Sequence, residues 1–127
     1  DLRHPSDSVL EDMEKEFYQI LEQLAVSCGV EMSILPTWVS AAVHFDPVCL
    51  SCVEESAEAL GYAARKIVSG AGHDAVYVAK VVPTAMIFIP CWKGISHNEA
   101  ESAEPDDATA GANVLLHAVM KADSDLP

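Results

Sequence analysis

"RKIVSGAGHDAVYVAKVVPTAMIFI", residues 65–89, decides the fold. "RKIVS" reads as a short strand. Residues 74–81 read as a helix, stopped by Pro83, since proline cannot continue the backbone ladder. "TAMIFI" is a continuous apolar run, the pattern of a strand buried on both faces. Strand, helix, strand predicts a parallel βαβ unit with a right-handed crossover. A final helix over 105–121, with Val114, Leu115, Ala118 and Val119 as its apolar stripe, extends the alternation, so the fold class is α/β. Parallel strands need cover on both faces and neighbours on both sides. Residues 64–121 supply only two, so the remaining strands are expected in another part of a larger protein.

Upstream the pattern changes. Val9, Met13, Phe17, Ile20, Leu21 and Leu24 recur at three- and four-residue spacings, predicting an amphipathic helix over 8–28. Ser8 and Glu11 form a capping-box pair, and Gly29 is placed to end the helix. "VEMSI" alternates apolar and polar residues as a half-buried strand does. Pro36 marks an edge or a bend there, and "TWVSAAVHF" continues extended. Asp46 is a good N-cap and Pro47 suits the first helical position. A second helix is expected to about Leu60, closed by Gly61. A domain boundary is placed near Phe45.

Composition bounds the function. The chain has 127 residues, one ordinary domain's worth, and 50% of them are hydrophobic, enough for a packed core. The formal net charge of −13, from 20 acidic and 7 basic residues, argues against a nucleic-acid surface and against an anionic membrane. No apolar run is long enough for a transmembrane helix, and the polar start "DLRHPSD" is no signal peptide. The chain opens on Asp1, so its start is expected to be processed, trimmed or internal. Cys49 and Cys52 form a CxxC, but no second ligand pair lies near Cys28 or Cys91, as a zinc site would need. Reduced thiols and a cytoplasmic setting fit best.

Open α/β sheets bind ligands at the carboxyl ends of their strands. "SGAGHDA", residues 69–75, follows the first strand, and "CWKGISHNEAE", residues 91–101, follows the second. His73 and His97 are therefore expected at one rim. The glycines fit neither a dinucleotide fingerprint nor a Walker loop. They suit a tight turn that brings backbone close to a ligand. Asp74 falls in the first helical turn, where a carboxylate is favoured. The bland alternative is a structural turn with a hydrogen-bonded histidine. The loop after Ile95 offers His97 as a metal ligand with Glu99 or Glu101 in support, or else an acidic solvated loop. Arg3 suits bidentate capture of a carboxylate, with a surface ion pair as its plain reading. His4, His44 and His117 read as structural or exposed.

Three stretches together, "DLRHPSD", "SGAGHDA" and "TAMIFIPCWKGISHNEAE…PDDATAGANVLLHAV", resemble the carboxyl-terminal third of the zinc-dependent amidohydrolases. These include N-carbamoyl-L-amino-acid hydrolase, β-ureidopropionase and allantoate amidohydrolase, among the aminopeptidase-like metallohydrolases. The resemblance covers essentially the whole chain, and the pairing of GAGHDA with GISHNEAE carries it. It implies a partial aminopeptidase-like catalytic α/β domain over 46–127, preceded over 1–45 by part of an α+β lid that carries a homodimer contact. It implies His97 as the last ligand of a centre of two divalent ions, zinc or manganese, with most ligands outside this chain. His73 is implied as a substrate-contacting group at the scissile carbonyl, Gly72 as a close backbone approach, Arg3 as the carboxylate clamp and Asp74 as a supporting residue. The implied reaction is hydrolysis of the carbamoyl or ureido C–N bond of small N-carbamoyl or ureido acids. A lone His97 cannot hold a catalytic zinc, which takes three protein ligands, so the chain is expected to be inactive by itself. Cys91 and Trp92 are candidates for tuning substrate choice. A partner-binding fragment of the same fold, and an exopeptidase or aminoacylase of the same clan, are the competing readings.

Overall fold

The computed structural model describes residues 1–35 and 38–125. Four α-helices follow one another: α1 (Asp7–Cys28), α2 (Pro47–Ala59), α3 (Asp74–Val78) and α4 (Pro105–Asp125). A single 3-10 turn spans Trp92–Gly94. The backbone divides into two compact units, Asp1–Val43 with Val68–Ala71, and His44–Ile67 with Gly72–Pro127. Among the described residues no helix is long and apolar enough to cross a membrane.

In the first unit, α1 begins after Ser6, one residue before the expected start. Ser8 thus lies inside the helix, and the Ser8–Glu11 capping box is not the start signal. Ser6 caps with no side-chain bond to the backbone; its hydroxyl lies 3.0 Å from that of Ser8. The other end follows its sequence closely. Gly29 is left-handed at φ 64°. Its N–H donates to the Val26 carbonyl at 3.3 Å, and the Val30 N–H to that of Ala25 at 3.0 Å. That crossed pair is a Schellman motif, which needs a residue free of a Cβ penalty. Helix α1 buries no residue.

In the second unit, Asp46 caps α2 as expected, its Oδ1 accepting from the Val48 and Cys49 amides, both at 2.9 Å. Pro47 occupies the first turn. Helices α2 and α4 pack on each other, the one helix pair in contact among the described residues. Cys52, Ser56 and Ala57 of α2 and Val114 and Ala118 of α4 are the buried residues of this helix pair, each 6% exposed or less. The Ser56 hydroxyl is satisfied by the Cys52 carbonyl at 2.6 Å, so its burial carries no orphaned polar group. Most of these side chains are small; Val114 alone reaches the ~1.5–3 kcal/mol of a fully buried aliphatic residue. Leu115 and Val119, expected in the same stripe, are 56% and 58% exposed. Each sits one residue, about 100° of helix rotation, beyond the contacting line. Gly111 lies one turn before Val114. A Cβ there would stand 2.5 Å from Ile89 Cγ2, so the absent side chain lets the 84–89 segment lie directly against α4.

The strands are the main correction. Among the described residues none of "VEMSI", "WVSAAVHF", "RKIVS" or "TAMIFI" is a hydrogen-bonded strand. The bend assigned to Pro36 and the start of the second segment at Thr37 lie outside the described residues. A strand exists only by pairing with a neighbour, and the two segments of the expected βαβ unit do not pair. Residues 84–91 make one backbone bond of this kind, from the Asp46 N–H to the Thr84 carbonyl at 3.0 Å. Helix α3 is also shorter than 74–81: after Val78 the chain tightens, with Val81 N–H donating to Val78 at 3.0 Å.

Candidate functional site

The second unit brings His73 and His97 together. Their ring centroids are 6.0 Å apart and tilted by 58°. His73 is the residue before α3, extended at φ −137°, ψ 152°. Its carbonyl accepts the Val76 N–H at 3.0 Å. Phe88, on the apolar segment, meets the half-buried His73 ring edge-on at 5.4 Å. An aromatic edge of this kind steadies a ring. Asp74 opens α3 and is exposed. Gly72 precedes His73, and a Cβ placed on it would meet open space. No protein atom therefore demands glycine there, and the backbone is open to a small molecule.

His97 sits in a loop tied at its base, where the Trp92 N–H donates to the Ser102 carbonyl at 2.7 Å. Its backbone is left-handed, at φ 56°. A non-glycine residue there costs about 1 kcal/mol or more, and such strain persists where surroundings hold it. The hold is visible. Glu101 Oε2 accepts the His97 N–H at 2.7 Å. The same carboxylate takes the Cys91 thiol on its other oxygen, Oε1, at 3.7 Å. The Ser96 hydroxyl lies 2.8 Å from His97 Nδ1, so Nε2 is the ring's other nitrogen. Burial first, and then the adjacent Glu101 charge, push the Cys91 thiol up. Trp92 is held beneath the Lys93 ammonium, 4.3 Å above its ring.

Among the described residues no three His, Cys, Asp or Glu side chains converge on a point that could hold a metal ion. A divalent centre could take one ligand here, His97, whose Nδ1 is already engaged as a metal-bound imidazole's second nitrogen is. The fit is to one vertex of a site, not to a site. Arg3 belongs to the other unit. Its Nε donates to Asp1 Oδ2 at 2.8 Å, its Nη2 to the same oxygen, and its Nη1 to the Gly70 carbonyl. Cys49 and Cys52 lie on α2 as free thiols. Burial and Asp46 push the Cys49 thiol up. His4, His44 and His117 are exposed.

Phe88 and Ser96 escaped the reading of the sequence. Phe88 looked like one more core residue of an apolar run, and only the fold sets it against His73. Ser96 was visible as a neighbour of His97, but adjacency along a chain does not say which ring nitrogen a hydroxyl reaches.

An N-carbamoyl-L-amino-acid amidohydrolase of Rhizobium meliloti is 45% identical over 130 residues, which cover 95% of this chain and 29% of that protein. A ureidoglycolate hydrolase of Oryza sativa subsp. japonica is 38% identical over 60% of this chain and 16% of its own length. Among solved structures, an amidase of the hydantoinase/carbamoylase family from Burkholderia multivorans superposes with a TM-score of 0.89 at 49% identity, over 94% of this chain and 29% of that one. The backbone path is thus that of a known fold. The chain spans less than a third of these relatives' length. Residues 4–121 match the model of peptidase family M20/M25/M40, and with relatives this similar over nearly all its length, the chain belongs to that family.

Proposed function

We propose that this chain is the carboxyl-terminal part of a metal-dependent hydrolase that cleaves the carbamoyl or ureido C–N bond of N-carbamoyl amino acids or related ureido acids. The approach of His73 to His97, 6.0 Å between rings, carries the reading. The names of the relatives, N-carbamoyl-L-amino-acid amidohydrolase and ureidoglycolate hydrolase, support the substrate class. In this reading residues 46–127 belong to the catalytic domain. Residues 1–45 belong to a lid through which two copies form a homodimer, in the cytoplasm.

Two divalent ions, zinc or manganese, would supply a water acidic enough to attack at neutral pH. His97 would offer Nε2 as one ligand, its Nδ1 held by Ser96. The remaining ligands and a glutamate general base would come from outside residues 1–127. His73 would donate to the substrate's carbonyl oxygen as negative charge grows on it, its ring steadied by Phe88. Gly72 would let the substrate come close to the backbone. Asp74 would support the turn that presents His73. Arg3 would clamp the substrate's carboxylate, a role supported by the carboxylate its Nε and Nη2 already bind. Each turnover on an N-carbamoyl amino acid consumes one water and yields ammonia, carbon dioxide and the amino acid.

The complete polypeptide, loaded with zinc or manganese, is to be assayed for ammonia from N-carbamoyl-L-amino acids, ureidopropionate, ureidoglycolate and allantoate. Release from at least one of the four is the expected result. Silence on all four by a folded, metal-loaded enzyme refutes the proposal.

A further inference from the structure

We propose that Glu101 is a positioning residue that acts on His97 through the backbone, holding it in the left-handed conformation that aims its imidazole at the metal. The inference rests on His97 being a metal ligand, as proposed above.

Both carboxylate oxygens of Glu101 are committed. One accepts the His97 amide at 2.7 Å, the other the Cys91 thiol at 3.7 Å. Its own amide donates to the Asn98 carbonyl at 2.9 Å, closing a turn that starts beside His97. Cys91 stands where the apolar segment ends, so Glu101 ties the ligand-bearing loop back to the end of that segment. His97 and Lys93 are the non-glycine residues of positive φ among the described residues. Lys93, within the 92–94 turn, is itself non-helical at φ 53°, ψ 18°. At His97 the Glu101 carboxylate sits on the N–H, four residues along the chain. Ser96 at Nδ1 sets the ring's rotation, whereas Glu101 sets where the ring starts from. Glu99, the other carboxylate of the loop, is exposed, as Glu101 is.

Positioning through the amide has a signature that charge alone lacks. Glutamine at 101 keeps an oxygen at the same reach to accept the His97 N–H. Aspartate keeps the charge but is one methylene short. The test uses the complete enzyme with zinc alone as probe, its dissociation constant read by competition with a chelating dye, and with cobalt(II) as a spectroscopic reporter of ligand geometry. Glu101→Gln is expected within a few-fold of the parent with an unchanged cobalt spectrum. Glu101→Asp and Glu101→Ala are expected to bind about 10–100-fold more weakly at one site, the usual scale for residues that orient a ligand. Should the alanine variant misfold, the order of glutamine and aspartate still decides. Aspartate near the parent with glutamine weakened, or no change in any variant, overturns the inference. His97→Ala separates the two layers. If it binds zinc at both sites unchanged, the ligand reading fails and takes this inference with it. If it loses one site while every Glu101 variant keeps both, only the role of Glu101 fails.

Discussion

Helices α1 and α2 make opposite use of good sequence signals. Helix α1 is the longer and the more regularly amphipathic, yet it buries nothing, and Leu24 in its stripe is 51% exposed. Helix α2 has the weaker stripe, yet it holds Cys52 at 2% and Ala57 at 3% exposure against α4. A helix forms from its own caps and spacing, but it is buried only where another surface meets it. The stability of this chain should therefore reside in the α2–α4 contact and not in its most conspicuous helix.

The sharpest way to break that comparison is a charge on each apolar line. Val114→Asp should cost more than about 3 kcal/mol, because a carboxylate is buried without a partner. Leu24→Asp in the same chain should stay within about 0.5 kcal/mol, as exposed substitutions do. Urea unfolding of both variants checks it, and equal losses would dissolve the contrast. Gly111→Ala comes next. Overpacking against Ile89 costs about 1–3 kcal/mol, against the roughly 1 kcal/mol that alanine gains in a helix interior. A lower Tm is expected, whereas a higher one would mean that Ile89 can move aside. The helix starts sharpen the comparison further. Asp46→Ala should cost about 1 kcal/mol, while Ser6→Ala, which removes no bond to a helix amide, should cost much less. The smallest effect belongs to the ion pair between α2 and α4. Lys121 Nζ lies 2.9 Å from Glu55 Oε2. The Lys121 bond first, and then the Ser51 hydroxyl, hold the Glu55 carboxyl below its usual range. A lowered folded pKa stabilises above the unfolded value and is lost as pH falls through the folded one. Lys121→Met should thus lower Tm slightly at neutral pH, and the difference should vanish in acid.

Much of this was legible along the chain, and the exceptions share a cause. The Asp46 cap with Pro47 and the Gly29 terminus were readable because each depends on residues within one turn. The cap at Ser6 was misplaced by two residues because Ser8 and Glu11 match the capping-box pattern, whereas Ser6, with Val9 three residues on, does not. Val114 and Ala118 could not be told from Leu115 and Val119, since an apolar stripe is broader than the line that touches a neighbour. The strands were misassigned because alternation and apolar runs record which faces want cover, not whether a partner strand stands alongside. At the site, GAGHDA and GISHNEAE pointed to His73 and His97, and the structure puts those rings side by side. Which carboxylate serves His97 depended on backbone geometry: Glu99 and Glu101 are alike as letters, and only a left-handed His97 turns its amide toward the second.

Anomalous diffraction at the zinc edge, from crystals of the complete enzyme, tests the account at its centre. The account predicts a metal peak at bonding distance from His97 Nε2, with His73 beside it and not ligating. A metal centre fully formed without His97, or one that takes His73 as its ligand in place of His97, would contradict it.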